Sequence, residues 1–476
     1  MKYYILLFLF TSFFFSNCKK KETVSSTVSD PMVLAEAAFK KDCSSCHGDN
    51  GDVFVDRNWK HGKSKDSLIH SIMKGHADSL NPVWVTTLKP EEVSSLADYL
   101  VKGIAYRKSF DFEGDSITKA TVHHKSMSVK LDTIAKGLSS PWGMAFLPGG
   151  DLVYTDRVGK LYRQSNGKPS EIKGVPPVYA MAQGGLLDVQ AHPNFDKNQL
   201  LYISYSKLKD SAGVKLATTA LFCAQLAGNS LKNGKDIFVA LPWKTTPIHY
   251  GSRIEFDKEG KLFLTVGDRF QHMDTLPQKL DNDLGKIHRI NDDGSIPADN
   301  PFVNVPGARP SIWSYGHRNP QSLSIHPETG ALWENEHGPR GGDELNLIEK
   351  GKNYGWPMIS YGINYNGKIM TPYTAKEGME QPKTKWIPSL GPSGMTIVTS
   401  DKYPAWKGDI LMGSLRFQFL NRVHLVGNNP DEQEQLLKKI GRVRMVEQGP
   451  DGFIYIGVED KPGCIFKLVP VNAQMQ

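Results

Sequence analysis

Six times between Met144 and Tyr455 the chain runs through an apolar segment, a turn rich in Pro, Asp and Gly, and a second apolar segment. The first copy is Met144-Ala145-Phe146, Pro148-Gly149-Gly150 and Leu152-Val153-Tyr154; the second joins residues 189–193 to 200–205. The third runs from Arg253 through Asp257 and Gly260 to Val266, and the fourth from Leu323-Ser324-Ile325 through Gly330 to Leu332. The fifth pairs residues 395–398 with Ile410-Leu411-Met412, and the sixth pairs residues 443–446 with Phe453-Ile454-Tyr455 across Pro450-Asp451-Gly452. One such unit cannot bury its apolar face alone, so the units must stack on one another. Six copies over about 340 residues is roughly 57 per unit, enough for a four-stranded blade with long loops. The pattern predicts a six-bladed β-propeller with inserted loops on one face; a pair of β-sandwiches is the competing arrangement.

The region ahead of the repeats follows other rules. Cys43-Ser44-Ser45-Cys46-His47 has the spacing that attaches a c-type haem, with Cys43 and Cys46 adding to the vinyl groups and His47 ligating the iron. A redox dithiol or half a zinc site are the alternatives, but zinc needs two more ligands and no second Cys pair follows nearby. Apolar spacing predicts three helices around the haem: Leu34, Ala37 and Phe39 lead into Cys43; Leu68, Ile69 and Ile72 form a second face; Val93, Leu96, Ala97 and Leu100 follow Pro90-Glu91-Glu92. A small class I-like, all-α cytochrome c domain is therefore expected ahead of a mainly β propeller. The position where such domains carry a Met-Pro pair reads Asn81-Pro82, so the sixth iron ligand is open: Met73 or His76 could serve, or either could be ordinary helix surface or core.

Lys2, an apolar run over residues 3–15 and Ser16-Asn17-Cys18 read as an export signal too short to span a bilayer. Cys18 resembles the lipid-attachment cysteine of bacterial lipoproteins, and predicts an exported, periplasmic, membrane-anchored protein. The divisions expected are a signal (1–17), a tether (18–31), the cytochrome domain (32–106), a linker (107–128) and the propeller (129–471). A formal charge of +7 without a basic, aromatic-interleaved run argues against nucleic acid and suits anionic ligands. Cys223 and Cys464 are left as either a disulfide or two buried thiols.

Several loop motifs are too polar and Gly-rich for a core: residues 183–188 (Gln183-Gly184-Gly185 onward), His249-Tyr250-Gly251-Ser252-Arg253, Gly267-Asp268 and residues 316–321 (Gly316-His317-Arg318-Asn319 onward). Residues 336–344 (Glu336-His337-Gly338-Pro339 onward), Asn353-Tyr354-Gly355-Trp356-Pro357 and Arg442-Val443-Arg444 complete the set. In this order the motifs resemble the soluble aldose (glucose/sorbosone) dehydrogenases that use pyrroloquinoline quinone, over nearly all of residues 130–470.

That resemblance implies oxidation of aldose sugars at the anomeric carbon to lactones, with pyrroloquinoline quinone and calcium. Electrons would then pass to the fused haem c and on to an external acceptor, a cytochrome or the quinone pool. His249 matches the family's general base, a task suited to a neutral imidazole, and Asp268 the carboxylate that orients it. Gln183, Arg318 and Asn319 match cofactor contacts. Arg416, Arg442 and Arg444 are further cations for a tricarboxylate, with Arg416 standing where the family commonly has a lysine. His317 reads as structural. The carbonyls of Gly338 and Pro339 match the ligands of a catalytic calcium, Glu344 and Tyr354 those of a second calcium, and Trp386 a substrate-stacking aromatic, with a buried core tryptophan as its alternative. A non-catalytic sugar-binding propeller with a haem relay is the alternative; loss of His249, Gln183 or the Arg pair would favour it, and all are present. Larger quinohaem alcohol dehydrogenases have eight blades and Trp-rich repeats that neither the length nor the motifs here match.

Overall fold

Each repeat becomes the inner and second strand of one blade. The inner strands are Pro141–Phe146, Leu186–Ala191, Ile254–Phe256, Pro320–Ile325, Pro392–Ile397 and Arg442–Gln448, and each pairs antiparallel with the strand after its turn. The turns need left-handed backbone, and glycine supplies it at Gly260 (φ +77°) and Gly452 (φ +77°). The computed structural model describes residues 31–43, 59, 61–74, 88–110, 112, 121–270, 275–365, 369–460 and 462–471. Cys18, Cys46, His47 and His76 lie outside them.

The first five blades are four-stranded sheets. The sixth has five strands, ordered Thr121–His123, Ser128–Leu138, Gly463–Val471, Ile454–Glu459 and Arg442–Gln448. Ser128 pairs with Val471 and Leu138 with Gly463, so the two ends of the propeller share one sheet and close the ring. Closure locks the ring, and radial repetition leaves each blade only a short outer edge. Val129 and Leu468 are fully buried beside Leu411, Leu420 and Val443, in the seam between the fifth and sixth blades. The stretch predicted as a linker is thus partly built in. Thr121–His123 is a strand, and Arg107–Phe110 is a 3-10 turn.

Ahead of the ring stand three helices, α1 (Pro31–Asp42), α2 (Lys65–Lys74) and α3 (Pro90–Tyr106). Glu92 caps α3 by accepting from the Lys89 amide at 2.7 Å, a capping-box bond. Phe39, Leu68, Leu96, Ala97 and Leu100 form their shared core. Leu34, expected on that core face, is 53% exposed; Ala35 and Phe39, one turn apart, take the inner side instead. Among the described residues no helix is long and apolar enough to cross a membrane. Cys223 is buried on Val214–Ala227 in the second blade, whereas Cys464 lies on Gly463–Val471 in the sixth, and no disulfide joins them.

At the axis one guanidinium ties the blades together. Arg253, buried just before the third inner strand, donates to the carbonyls of Gln321 (2.6 Å), Trp142 (3.2 Å) and Arg444 (3.0 Å). It also pairs with Asp188 at 3.4 Å and lies over the Trp142 ring at 4.0 Å. Asp188 in turn accepts from the Ile254 amide at 3.0 Å. Five blades therefore meet on one side chain. Arg253→Met would leave Asp188 as an uncompensated buried charge and three carbonyls short of a donor. A loss of roughly 3–5 kcal/mol is expected, read as a lower urea midpoint at unchanged slope. Arg253→Lys should recover only part of it, because an ammonium lacks the planar fork.

Candidate active site

The start of an inner strand and the end of the second strand meet at one rim of each blade, and the motif residues sit at that rim. Gln183 precedes Leu186–Ala191, His249 precedes Ile254–Phe256, and Asp268 follows Leu262–Val266. Arg318 and Asn319 precede Pro320–Ile325, the loop after Leu332–Glu336 carries Gly338 and Pro339, and Arg416 follows Ile410–Ser414. Arg442 and Arg444 begin the sixth inner strand. Residues far apart in sequence converge because the ring brings every such rim to one face.

His249 is held on both its ring and its backbone. Its Nδ1 lies 2.7 Å from Asp268 Oδ1, and its backbone amide donates to Gln183 Oε1 at 2.8 Å. Its φ of +56° is left-handed, as are those of Ser252, Arg269 and Phe270; non-glycine residues adopt that conformation at a cost of about 1–3 kcal/mol each, and it clusters at functional sites. Phe270 packs edge-on against the imidazole at 4.9 Å. Burial lowers the His249 pKa below its ordinary value, and the Arg318 charge lowers it further against the pull of Asp268. Burial pushes Asp268 up, but His249, its hydrogen bond and Arg318 outweigh this and hold the carboxyl low. The pair is thus a neutral imidazole oriented by a carboxylate.

Two further donors hold that carboxylate. The Phe270 amide donates to Oδ1 at 2.7 Å, and the Trp356 indole Nε1 donates to Oδ2 at 2.8 Å. Trp356 is itself placed by Gln278, which donates to its carbonyl at 2.7 Å. The sequence shows Trp356 only as part of the Asn-Tyr-Gly-Trp-Pro motif, so its link to Asp268, which is 88 positions away, is visible only in the fold.

Beside this pair lies a cavity of about 190 Å³ lined by Gln183, Trp142, Tyr250, Gln321, His337, Arg157, Arg442, Arg444 and Glu459. Arg444 Nε donates to Glu459 Oε1 at 3.0 Å, and Arg442 approaches the same carboxylate at 3.5 Å. Burial would raise Glu459, but Arg444 dominates and holds it down at about 2, an anion that fixes both arginines. Arg157, which no motif flagged, also lines the cavity. Three arginines against one carboxylate leave a cationic hollow suited to a polyanion.

His337 lines both this cavity and a larger one of about 450 Å³. The latter is bounded by Gly338, Pro339, Arg340, Asp343, Tyr365, Ser389, Gly391 and Arg416. His337 Nε2 lies 2.7 Å from the Pro392 carbonyl, and burial, then Arg444, lowers its pKa to about 3, so it is a neutral donor. A β-carbon at Gly338 would lie 2.1 Å from the Gly342 carbonyl oxygen, so this loop requires glycine there. Arg318 Nη1 donates to the carbonyls of His337 (2.8 Å) and Gly338 (2.5 Å), while its buried Nε has no partner. Asn319 Oδ1 accepts from the Gly251 amide at 3.2 Å. His317 is fully buried between Ser314 and Glu336 and stacked on Tyr354 at 4.7 Å.

One predicted role is not where the motifs put it. Trp386 lines neither cavity. It lies on Thr384–Trp386, in the core between the fourth and fifth blades, with its indole donating to Gln433 at 2.8 Å. Pairing of Trp386 with Asp343 at the blade edge turns the ring inward. The aromatics at the site are instead Phe270, Trp356 and Tyr365, the last 60% exposed. The Tyr354 hydroxyl is taken up by the Leu347 carbonyl (2.6 Å) and the Glu349 amide (2.9 Å). Glu344 belongs to a set of carboxylates with Glu334 and Glu336, bridged by Asn346. Met73 is half-buried on α2.

Comparison with known proteins agrees with this geometry. The Glucose / Sorbosone dehydrogenase family matches residues 138–467, and the subunit III family of cbb3-type cytochrome c oxidase matches residues 33–100. The aldose sugar dehydrogenase YliI of Escherichia coli is 39% identical over 354 residues, 72% of this chain and 94% of its own length. The solved apo structure of the E. coli soluble aldose sugar dehydrogenase superposes with a TM-score of 0.69 at 38% identity, covering 72% of this chain and all of that one. The structure of the PQQ-bound aldose sugar dehydrogenase of Streptomyces coelicolor superposes at 0.59 with 28% identity, covering 72% and 98% of the two chains. The chain is a member of the glucose/sorbosone dehydrogenase family, a quinoprotein-type oxidoreductase with a cytochrome c domain ahead of its propeller.

Proposed function

We propose that the propeller oxidises aldose sugars at the anomeric carbon to lactones, with pyrroloquinoline quinone and calcium, and passes the electrons to the fused haem c. The observation that carries this reading is the buried, neutral His249, fixed by Asp268 beside a hollow in which arginines outnumber carboxylates. When bound, the quinone supplies a hydride-accepting carbonyl, made more electrophilic by calcium, and releases two electrons one at a time.

The donor set fits a planar tricarboxylate. Arg157, Arg442 and Arg444 would hold its carboxylates, Gln183, Asn319 and Arg416 would position it, and the free Nε of Arg318 is a buried donor awaiting an acceptor. Calcium would take the carbonyls of Gly338 and Pro339, each of which keeps a lone pair beyond its bond to Arg318 or to Ser389. A second calcium fits the set of Glu334 and Glu336 with His317, which stacks on Tyr354; Glu344 joins it through Asn346, and Glu334 Oε1 and Asn346 Oδ1 have no partner.

The chain's own part in the reaction follows. His249 Nδ1 is committed to Asp268, which leaves Nε2 as the free base for the anomeric hydroxyl proton. Asp268 steadies the imidazolium as it forms, and Arg318 stabilises charge developing at the accepting carbonyl. Tyr365 and Phe270 offer the apolar face against which a sugar ring can stack. Cys43, Cys46 and His47 carry the haem, an external cytochrome or quinone takes its electrons, and Cys18 holds the exported protein to a membrane through a lipid.

Full-length protein given pyrroloquinoline quinone and calcium should show aldose-dependent haem reduction; its absence, with no turnover of a soluble dye, would sink the reading. His249→Gln should lower kcat/KM about 10²–10⁴-fold with haem content unchanged. Because the His249 pKa lies below 6.5, activity should be full at pH 7 and fall only as pH drops through the lowered value. Trp356→Phe frees Asp268 Oδ2, so the carboxylate should hold imidazolium better and move that acid limb toward higher pH. Nuclear magnetic resonance titration of His249 checks the direction. Arg444→Gln removes a charge-assisted contact of about 1.5–3 kcal/mol, and should weaken cofactor binding roughly 10–150-fold in fluorescence titration.

A further inference from the structure

The cytochrome domain does not simply trail from the propeller. Its apolar core of Phe39, Leu68, Leu96, Ala97 and Leu100 continues into the propeller through Ile387 and Tyr361, and Cys43 packs against the same cluster. Ile387 is 8% exposed and is buried in the same cluster as the helical core. A second anchor follows α3. Phe110, on the 3-10 turn, stacks on Phe417 at 4.6 Å and 21° and lies next to Phe419 at 6.4 Å, while Tyr106 meets Phe110 edge-on at 5.6 Å.

Both anchors back directly onto the larger cavity of the active site. The loop carrying Tyr361 crosses the loop of Pro339 and Arg340, where Arg340 and Ile363 exchange two backbone hydrogen bonds of 3.0 Å. Their approach leaves no room for a side chain: a β-carbon at Gly362 would lie 2.4 Å from the Gly341 carbonyl oxygen and 2.6 Å from Pro339. Pro339 and Arg340 line the cavity on the other side. At the second anchor Arg416, also a cavity residue, lies over the Phe417 ring at 4.9 Å. The crossed loops therefore present Tyr361 to the cluster that holds Cys43 on one side and line the cavity of the calcium carbonyls on the other.

We infer that Tyr361 and Ile387, with Phe110 as a second contact, form a fixed seat that holds the haem domain in electron-transfer range of the quinone site. The inference rests on the function proposed above and adds the surface through which the electrons leave. Oxidation of one aldose yields two electrons and two protons. Each electron reduces ferric haem iron to ferrous, a one-electron acceptor such as ferricyanide reoxidises it between transfers, and the protons go to solvent.

The test uses the full chain loaded with haem, pyrroloquinoline quinone and calcium. In Tyr361→Glu/Ile387→Glu the ring at 361 is lost from the cluster and the carboxylate replacing Ile387 would have to be buried in the seam without a partner, which opposes docking. Aldose-driven haem reduction in stopped flow should slow by about tenfold or more, while turnover with a soluble phenazine dye stays at the wild-type rate. Small-angle scattering should show a larger radius of gyration, and Ile387→Leu should match wild type in all three measurements. Haem reduction at the wild-type rate in the double variant overturns the seat, whatever the scattering shows. Dye turnover without haem reduction in the wild-type chain also overturns it and leaves the dehydrogenase reading intact; loss of both in wild type condemns that reading itself.

Discussion

The buried guanidinium of Arg253 is the interaction on which the ring depends. A propeller leaves an axial hole where inner strands from every blade present backbone carbonyls away from water, and each unsatisfied carbonyl there is costly. Arg253 answers several of them at once and is neutralised by Asp188, while the Trp142 face covers its cationic plane. Burial alone would depress the Arg253 pKa and raise that of Asp188, so each is tolerable only because the other is there. The same contact reaches Arg444 through its carbonyl and so fixes the floor of the cationic hollow.

Above that floor the site is arranged by unequal environments. His249 and His337 are both buried and both kept neutral, yet one has its Nδ1 committed to a carboxylate and the other directs Nε2 to a carbonyl. The first keeps a lone pair for a proton; the second is a fixed donor. Asp268 stays ionised in spite of burial because His249, Arg318 and the Phe270 amide outweigh the desolvation, and Glu459 because Arg444, the Ser140 hydroxyl and Arg442 do. Asp343, which accepts from Gly338, Ser389 and Gly391, is instead pushed up to about 7 by burial, which outweighs those bonds and the Arg318 charge. The rigid ring supports the left-handed backbone at His249 and its neighbours, which a freestanding loop would relax.

The helical domain shows how a linker becomes structure. Phe110 closes one side of the seam and Thr121–His123 adds the outermost strand of the sixth blade, so the connection is tied at both ends. A domain held this way is oriented as well as attached.

The amino-acid sequence by itself determined the architecture and the chemistry class. All six strand–turn–strand copies read from hydrophobic spacing became the first two strands of blades, because that signal is local and repeats wherever one strand face is buried. The three helices were equally legible from apolar spacing and from the Pro90-Glu91-Glu92 start. The motifs that place His249, Asp268, Gln183 and the Arg pair at one rim were visible as ordered polar loops. Only the tertiary structure decided which groups meet across the ring. Trp356 on Asp268, Arg157 beside Arg444, Arg253 at the axis and Tyr361 against the haem domain join residues whose sequence separation carries no local pattern. Trp386 shows the converse: a tryptophan next to a site motif was turned into the core by its strand pairing. Local periodicity chooses the elements; closure of the ring, a constraint that spans the whole chain, chooses the neighbours.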